Sequence, residues 1–326
     1  MKSDPSVTIV VLNWNGWQDT AACVRSLFNL KYERFNVVVC DNGSTDGSLD
    51  ELLNAFSADH LNLVILKDPA MNPVSSPFQE RLITLIDNRS NLGFAGGNNV
   101  GMRYAMQAWD PDFYWVLNND TEVDPLALRE LLDEFRRMPG VGICGSKLVY
   151  WHGRSEVQAL GGGIHNRVFC TTRELKPGAK DIVSSDMSGR GPELDYVSGA
   201  SMLVSRRLVE DVGLMEERYF LYFEELDWAE RARKKGFQLG YADSSVVYHK
   251  EGATIGTNAR TPKARSVVSE FYGVRSRILF TSRFYPLFLP TLYLALLVAV
   301  IRRFQRSQPD RAKMILGLML RPTRRL

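Results

Sequence analysis

An aspartate preceded by two asparagines follows a short apolar run in the segment Tyr114 to Asp120. Carboxylate and amide oxygens at a strand end suit Mg²⁺ or Mn²⁺, because these cations take oxygen ligands and keep positions for phosphate oxygens and water. The alternative is an Asx turn that caps the next helix. His249 ends another apolar run and could complete the same site, although a single histidine more often has a structural role. We therefore predict a divalent cation at Asp120, with His249 either completing the metal or diphosphate site or serving as a structural residue.

A second group of acids lies in the segment Phe220 to Phe237, FLYFEELDWAERARKKGF. Helical periodicity begins near Glu224, so Glu224 and Asp227 share a face while Glu225 points differently. The helix dipole alone favours acids in a first turn, by about 0.3–1 kcal/mol. The four apolar residues before them would also desolvate an acid and raise its basicity. This setting suits a general base.

The stretch Asn91 to Asp120 combines a loop rich in Gly and Asn, a helical run and an apolar strand. A glycine loop before a helix presents backbone N–H groups to an anion. Its glycine spacing differs from GxGxxG, and it lacks a Gly-Lys-Ser/Thr ending, so neither common nucleotide-binding loop is favoured. With the cation at its end, the stretch predicts a site for a nucleotide diphosphate and its metal.

These residues must be positioned by an α/β framework. Val7 to Leu12 is an apolar, β-branched run, typical of a strand buried on both faces of a parallel sheet. A helical pattern follows from Gln18 to Asn29, and Phe35 to Cys40 is a second apolar strand. Ligands of open α/β sheets bind beyond the carboxyl ends of strands. Asp41 lies at such an end, where it either binds a base or ribose or caps the next helix.

Further strands are predicted at Leu61 to Leu66, Leu82 to Ile86, Val141 to Tyr150 and Tyr196 to Val204. Small residues at 198 to 200 would let a substrate approach the backbone. Residues 67 to 80, with three prolines, are predicted to form an inserted loop. Gly161 to Gly163 and the polar segment 176 to 190 are predicted to be flexible surface structure, where an acceptor or a lid could lie.

The composition is that of a globular protein, with 326 residues of which 45 % are hydrophobic and 24 % charged. Its four cysteines form no CxxC pair and no zinc-ligand pattern, which predicts buried thiols in a reducing compartment. The first residues run directly into an apolar strand and lack the features of a signal peptide, so we expect a chain that is not exported.

The C-terminal region combines an apolar run with a basic tail. Phe284 to Ile301 is uncharged over eighteen residues, and residues 302 to 326 have a net charge of +7 while the rest of the chain has −4. Eighteen residues is the lower limit for a bilayer span, and Pro286 and Pro290 shorten the helix. The pattern favours a segment bound to an anionic membrane surface. A single span and a buried helix are the alternatives, and without interleaved aromatics nucleic-acid binding is not expected.

Together these segments resemble glycosyltransferase family 2, the inverting enzymes of the GT-A fold, and especially its bacterial rhamnosyltransferase-like members. The matching segments are VTIVVLNWNG, VVVCDNGSTDGS, NLGFAGGNNVG, WVLNNDTEVDP, VSGASMLVSR and YFLYFEELDWAERARKKGF with VVYHKEG. They cover residues 6 to about 252 in the family's order. The processive synthases of the family are disfavoured, because the chain has no Gln-x-x-Arg-Trp sequence.

The resemblance implies an α/β GT-A fold with a mostly parallel central sheet flanked by helices. Residues 1–255 would form the catalytic domain, with a donor half at 1–122 and an acceptor and catalytic half at 123–255. Residues 256–326 would form a helical, membrane-associating extension.

The resemblance also implies roles for single residues. Asn13 and Asp41 would line the nucleotide pocket, with Asp41 contacting the base. The other donor-binding residues would be Asn15, Asn42, Asn91, Gly93, Asn98 and Asn118. The family's Asp-x-Asp corresponds to Asn118-x-Asp120, so Asp120 would bind the metal and Asn118 would contact ribose or sugar. His249 matches a position that often assists the metal.

The family's catalytic acid pair corresponds to Glu224 and Glu225. Its second member, commonly an aspartate, is usually the base, so the resemblance assigns the base to Glu225 with one more methylene of reach. Glu224 would bind acceptor or sugar hydroxyls and Asp227 would orient the site. The choice among the three acids stays open.

The expected reaction is a single in-line displacement from a nucleotide-diphosphate sugar. The expected donor is dTDP-L-rhamnose, and the alternative is a UDP- or GDP-sugar. The acceptor would be a saccharide or lipid-linked saccharide at the cytoplasmic face of the membrane. A sugar nucleotidyltransferase is less favoured, because VLNWNGWQDT is not a basic glycine-rich loop. A noncatalytic membrane-bound scaffold would be expected to lose the acid cluster, which is present here.

Overall fold

The computed structural model describes residues 4–66, 77–176, 193–250 and 266–322. Strands and helices alternate in the first part of the chain. They are β1 (Val7–Asn13), α1 (Trp17–Leu27), β2 (Phe35–Asp41), α2 (Ser48–Ala58), β3 (Leu63–Leu66), β4 (Ile83–Asp87), α3 (Gly93–Ala108) and β5 (Phe113–Asn118). The predicted βαβ order is confirmed.

The later part of the chain adds shorter strands and then helices. They are β6 (Thr121–Val123), α4 (Ala127–Arg137), β7 (Val141–Tyr150), β8 (Val157–Leu160), β9 (Gly162–Asn166), β10 (Thr171–Glu174), β11 (Tyr196–Val197), β12 (Ser201–Ser205), α5 (Arg206–Val212), α6 (Glu224–Lys234), β13 (Gln238–His249), α7 (Val267–Phe284), α8 (Leu289–Gln305) and α9 (Pro309–Leu320). Single 3₁₀ turns lie at Trp151–Gly153, Glu217–Tyr219 and Pro286–Phe288.

Among the described residues, one large sheet has the strand order β3-β4-β2-β1-β5-β12-β7-β13-β6, with β8 beside β7. The strands from β3 to β5 in this order are mutually parallel. β12 is antiparallel to both of its neighbours, β5 and β7. A small second sheet has the order β10-β9-β11. The large, mostly parallel sheet agrees with the predicted α/β fold.

The register of the parallel strands brings several predicted site residues to one edge. Asn13 at the end of β1 is opposite Asp41 at the end of β2. On the other side of β1, Leu12 is opposite Asn118 at the end of β5. Carboxyl ends of parallel strands are where ligands of open α/β sheets bind. The nucleotide and metal candidates therefore share one edge.

The central strands are buried on both faces, as their apolar sequences predict. Every residue of β2 is buried, and the largest fully buried side chains include Trp115 and Tyr114 of β5 and Trp228 of α6. Helices α1, α2 and α4 pack on one face of the sheet, and α3, α5 and α6 pack on the other. Cys23, Cys40, Cys144 and Cys170 are free and buried, which confirms the prediction of buried thiols.

The glycine-rich segment after Asn91 is a helix, so the predicted loop was wrong. Helix α3 begins at Gly93 and includes Gly96, Gly97 and Gly101. A Cβ at Gly97 would lie 2.3 Å from Leu12 Cδ1, and one at Gly101 would lie 2.7 Å from a Val10 methyl. These two glycines let α3 pack closely on β1.

Gly161 to Gly163 are also buried, so the expectation of flexible surface structure was wrong there. A Cβ at Gly162 would lie 2.0 Å from the carbonyl oxygen of Tyr196, and one at Gly163 would lie 2.3 Å from that of Arg173. These glycines let the backbones of β10 and β11 lie close to β9. Residues 177–190 of the predicted acceptor or lid segment, and residues 67–76 of the predicted inserted loop, lie outside the described residues.

The C-terminal helices pack on the rest of the fold. Helix α7 lies in an apolar cluster with Tyr219 and Leu226, beside the helix that bears the candidate base. Helices α8 and α9 form a hairpin on α7. Pro286 begins a 3₁₀ turn and Pro290 lies in the first turn of α8. The predicted boundary at residue 255 therefore does not separate α7 from the unit on which it packs.

Candidate active site

Asn13 and Asp41 form one buried polar pair at the edge of the sheet. Asn13 Nδ2 donates to Asp41 Oδ1 over 2.6 Å, and the Thr20 hydroxyl donates to Asn13 Oδ1 over 2.6 Å. Ser44 donates its backbone N–H to Asp41 Oδ2 and its hydroxyl to Oδ1, over 3.0 and 2.6 Å. These bonds fix the carboxylate at the strand end.

The alternative that Asp41 caps the next helix was wrong. Helix α2 begins at Ser48, and Asp46 accepts the Ser48 backbone N–H over 3.0 Å. Asn15 lies at the same edge with a left-handed φ of 51°, and its Oδ1 accepts the N–H of Thr45 over 2.8 Å. Asp41 at the end of β2 and Asn15 after β1 therefore do not cap the helices that follow them.

An amide cluster holds the turn that leads into α3. Asn42 Nδ2 donates to Asn91 Oδ1 and to the Gly93 carbonyl, over 3.0 and 3.2 Å. Asn91 Oδ1 also accepts the Gly93 N–H over 2.9 Å, and the Phe94 N–H donates to the Phe220 carbonyl over 2.7 Å. Because protein atoms accept from Gly93 and Phe94, the expectation that these N–H groups face an anion was wrong.

Asn98, one of the residues predicted to bind the sugar donor, has a side-chain atom without a hydrogen bond. It is fully buried, and its Nδ2 donates to the Phe94 carbonyl over 2.9 Å. Its Oδ1 has no hydrogen-bond partner among the described residues. A buried unpaired amide oxygen costs free energy, so this atom is a candidate contact for a ligand group.

Asp120 and His249 are brought together by two strands, as predicted. His249 is opposite Thr121 in the pairing of β13 with β6, and its Nε2 lies 3.2 Å from Asp120 Oδ1. His249 Nδ1 lies 2.9 Å from Oε1 of the buried Gln158. Burial raises the pKa of Asp120, but its hydrogen bond to His249 and the charge of His249 together hold that pKa below its usual value.

The carboxylate oxygen of Asp120 and the imidazole nitrogen of His249 are atoms that can bind a divalent cation. An amide oxygen only accepts, so Gln158 holds a proton on His249 Nδ1. Nε2 then faces Asp120 either as the N–H of a charged imidazolium, which bonds the carboxylate, or as the lone pair of a neutral ring, which a cation can bind. Two lone pairs 3.2 Å apart repel unless a proton or a cation lies between them. The described residues contain no group of three or more His, Cys, Asp or Glu side chains that could hold a metal. A cation here would need further ligands from phosphate or water.

Glu224 and Glu225 begin α6 after a strained segment of backbone. Phe220, Tyr222 and Phe223 have φ values of 67°, 67° and 74°, a region costly for residues with a Cβ. A Cβ at Gly93 would lie 2.2 Å from the Phe220 carbonyl oxygen, so the two chain segments are in direct contact.

Helix α7 holds the same strained segment from the other side. The Ser276 hydroxyl donates to the Leu221 carbonyl over 3.0 Å, and the Tyr222 hydroxyl lies 2.8 Å from that of Ser269. Nothing in the sequence around these residues indicated strain. The contacts with α7 and α3 give the acids a fixed position.

The two glutamates differ in accessibility. Glu224 is buried and its Oε2 has no partner among the described residues. Burial, and then the charge of Glu225, raise the pKa of Glu224 well above its usual value. Glu225 is partly exposed, and burial of its carboxylate raises its pKa while a backbone hydrogen bond from Gly199 opposes the increase. Glu225 is therefore the more accessible acid.

The turn between β11 and β12 lies between Glu225 and the sheet edge that bears Asn13, Asp41 and Asn118. We call that edge the donor edge. A Cβ at Gly199 would lie 3.2 Å from Glu225 Oε1. The next residue, Ala200, accepts the backbone N–H of Asn118 over 3.1 Å. Two adjacent residues thus contact the candidate base on one side and the strand leading to Asp120 on the other. The predicted approach of a substrate to the small residues of this turn stays a prediction.

Asp227 is fully buried and bound by other side chains. Its Oδ1 accepts from Arg231 over 2.6 Å, and its Oδ2 accepts from Arg283 over 2.7 Å and from the Tyr219 hydroxyl over 3.0 Å. This arrangement suits the predicted orienting role and leaves Glu224 and Glu225 as the acids that could meet a substrate. Arg283, Gln158 and Tyr219 were missed from the sequence, because no local pattern marks them.

Comparison with known proteins gives matches along most of the chain. A protein-family model described as "Glycosyl transferase family 2" matches residues 8–212. The N-acetylglucosaminyl-diphospho-decaprenol L-rhamnosyltransferase of Mycobacterium tuberculosis is 26 % identical over 227 residues, 68 % of each chain. The low-salt glycan biosynthesis hexosyltransferase Agl10 of Haloferax volcanii is 26 % identical over 185 residues, 52 % of each chain, so the match spans about half of that protein.

Two solved structures have a similar fold. The mannosyltransferase PcManGT from Pyrobaculum calidifontis, in complex with GDP-Man and Mn²⁺, has a TM-score of 0.56 at 13 % identity and covers 98 % of this chain and 88 % of its own. GalNAc-T7 with UDP, GalNAc and Mn²⁺ has a TM-score of 0.57 at 14 % identity and covers 85 % of this chain and 48 % of its own. At these identities the likeness concerns the fold alone.

Proposed function

Because the chain belongs to glycosyltransferase family 2, we propose that it is an inverting, metal-dependent, non-processive hexosyltransferase. It transfers a sugar from a nucleotide-diphosphate donor to a saccharide or lipid-linked saccharide in cell-surface polysaccharide synthesis. The observation that supports this most is the turn at Gly199 and Ala200, which contacts Glu225 on one side and Asn118 on the other. Base and donor edge are thereby neighbours.

Glu225 is the proposed general base. Its carboxylate takes the proton of the acceptor hydroxyl while that oxygen attacks the anomeric carbon and the nucleoside diphosphate departs from the opposite face. One displacement inverts the anomeric centre, through a transition state of oxocarbenium character. A raised pKa makes Glu225 a stronger base.

Glu224 is the proposed partner of that base. Its strongly raised pKa keeps it protonated beyond the usual range of a glutamate. A protonated carboxyl can donate a hydrogen bond to an acceptor or sugar oxygen, and it avoids repulsion with ionised Glu225. Glu225 is therefore the proposed base and Glu224 the proposed hydrogen-bond donor, because their surroundings differ.

Asp120 and His249 are the proposed residues that hold Mg²⁺ or Mn²⁺, with Gln158 orienting the imidazole. When bound, the cation offsets the negative charge on the departing diphosphate. The remaining donor contacts are proposed at Asn13 and Asp41 for the nucleoside. The other proposed donor contacts are Asn15, Asn42, Asn91, Gly93, Asn98 and Asn118, with Asn118 facing ribose or sugar.

The proposed donor is dTDP-L-rhamnose, and the proposed acceptor is a lipid-linked saccharide at the cytoplasmic face of the membrane. The support is the M. tuberculosis relative, whose name includes both an L-rhamnosyl group and a diphospho-decaprenol lipid. A UDP- or GDP-sugar is the alternative, because the two similar structures contain UDP and GDP-Man.

A thermal-shift screen tests the donor class. The purified protein is mixed with dTDP, UDP or GDP, and with their sugars, in the presence and absence of Mn²⁺. A ligand that binds only the folded state stabilises it by about 2.7 kcal/mol at a hundred times its Kd. We expect the largest rise in Tm with dTDP-L-rhamnose and Mn²⁺. No rise with any nucleotide diphosphate would contradict the proposed function.

A further inference from the structure

One face of α8 is apolar and exposed. Leu292, Leu296 and Val300 are at most 6 % exposed and pack inward. The outward-facing apolar residues are Leu294, Leu297, Val298, Ile301 and Phe304, which are 41–64 % exposed. Leu287, in the preceding 3₁₀ turn, is 89 % exposed. The outward residues recur at helical spacing, and we call them, with Leu287, the outer face of α8.

Cations surround the outer face. Arg302, Arg306 and Lys313 are exposed in the α8–α9 hairpin, and the acid in residues 286–322 is Asp310. An apolar face next to exposed Lys and Arg side chains is the pattern of helices that lie at an anionic lipid surface. A second protein chain would require no such excess of positive charge. The charge pattern therefore favours a bilayer as the partner.

The turn between α8 and α9 is ion-paired to α7, and the two helices of the hairpin are bonded to each other. Glu270 of α7 accepts from Arg303 over 2.9 Å and from Arg311 over 2.6 Å, and its side chain is 9 % exposed. The Tyr293 hydroxyl donates to the Met319 carbonyl over 3.0 Å. A helix crossing the bilayer would have to leave the contacts with Glu270. Together with the 3₁₀ turn before it, α8 forms a 20-residue apolar helical stretch, Pro286–Gln305, which by length and composition alone could cross a membrane. The ion pairs with Glu270, and not the length of the helix, therefore favour an orientation in the interface plane.

We propose that the chain binds an anionic bilayer through the outer face of α8, with the helix lying in the interface plane and not across the membrane. This deepens the proposed function, since it rests on an acceptor presented at the membrane, but its evidence is independent of the active site. Arg283, just before the apolar segment, bonds Asp227 in the helix that bears Glu225. Lipid binding at α8 thus takes place one helix away from the base.

Vesicle sedimentation of the full chain, without donor or acceptor, tests the partner. Vesicles contain phosphatidylcholine alone or with phosphatidylglycerol. Leu294→Glu with Ile301→Glu should reduce partition onto the mixed vesicles by about tenfold or more, because two charges enter the buried face. Met106→Glu with Leu126→Glu is the matched control, since these exposed apolar residues lie outside α8. Circular dichroism and Tm show whether both variants remain folded.

Depth measurements test the orientation. Leu294→Cys and Ile301→Cys are labelled separately with an environment-sensitive fluorophore, which is selective because the four native cysteines are buried. Quenching by lipids brominated at different acyl positions then gives each depth. A helix in the interface plane places both labels at equal, shallow depth. A spanning helix separates them by about 10 Å, because each residue rises 1.5 Å.

The proposal is overturned by wild-type binding of the outer-face variant, by unequal depths, or by failure of the wild-type chain to bind mixed vesicles. It is also overturned if sedimentation velocity shows a dimer that the outer-face variant dissociates while vesicle binding is absent. In that case a second copy covers the outer face. Since no assay here uses a nucleotide sugar, failure of the proposed function leaves these results unchanged.

Discussion

At the scale of residues, two adjacent glutamates acquire different properties from their surroundings. Glu224 is buried with an unpaired oxygen, and Glu225 is partly exposed beside Gly199. Burial raises the pKa of both carboxyls. From the sequence, the apolar residues before the acids predicted that one of these carboxylates would be desolvated. The sequence could not rank the accessibility of the two acids, because Gly199 and the strained backbone at 220–223 approach only in the folded chain.

The raised pKa of Glu224 predicts a pH-dependent effect of Glu224→Gln on stability. An acid whose pKa is higher in the folded state binds more protons there, so its contribution to stability declines as pH rises above the usual glutamate pKa of about 4.3. Glutamine does not titrate. We therefore expect the variant to raise Tm at about pH 8 and to have little effect near about pH 3, where the carboxyl is largely protonated in both states. Equal shifts at both pH values would contradict the buried, protonated acid.

Asp120→Asn tests the proposed metal ligand. The variant keeps the size of the side chain and removes its charge, so Mn²⁺-dependent binding of a nucleoside diphosphate should weaken by about tenfold or more. Gln158→Leu should weaken Mn²⁺ binding by about 10–100-fold, because the imidazole loses its orienting partner. Titration calorimetry measures both affinities. Asp50→Asn, an exposed acid in α2, is the control, and unchanged affinity in Asp120→Asn would remove this residue from the metal site.

At the scale of elements, α3 and α7 enclose the segment that leads into α6. Gly93 of α3 contacts the Phe220 carbonyl, and α7 bonds the carbonyl of Leu221. Sequence periodicity predicted α6 and the order of strands and helices around it. It assigned the glycines after Asn91 to a loop, because their role in packing α3 on β1 depends on contacts between distant segments.

Gly93→Ala tests this contact. Both Gly93 and Gly47 have a left-handed φ, of 75° and 81°, but a Cβ at Gly47 meets nothing within 4 Å. Gly47→Ala should therefore cost only the left-handed backbone, about 1–2 kcal/mol. Gly93→Ala should cost more and should also lower turnover, because Phe220 must move. Denaturant unfolding of the two variants measures the difference, and equal losses of stability would show that the Phe220 contact is unimportant.

At the scale of the whole molecule, the turn of Gly199 and Ala200 brings the helix of Glu225 next to the strand that leads to Asp120. β12, which follows that turn, lies between β5 and β7. The strand ends that bear Asn13, Asp41 and Asn118 were predictable, because apolar runs ending in polar residues indicate the edge of a sheet. The insertion of an antiparallel strand beside β5 was not, since strand order depends on tertiary pairing.

In the C-terminal region too, the sequence pattern was predictable and the contacts between helices were not. Its apolar run and basic tail were evident in the sequence, and most of the outer face of α8 derives from that run. The ion pairs of Glu270 with Arg303 and Arg311 were not evident, because they join three helices. These pairs are the reason that α8 is proposed to lie along the membrane.

The central claim is that Glu225 removes the proton of the acceptor while the donor edge binds the nucleotide. The most direct test is to measure donor Kd and single-turnover rate for Glu225→Gln, with Glu51→Gln, an exposed glutamate in the first turn of α2, as the control. Loss of a general base should reduce the rate about 10²–10⁴-fold, with the donor Kd nearly unchanged. A wild-type rate in Glu225→Gln would contradict the account.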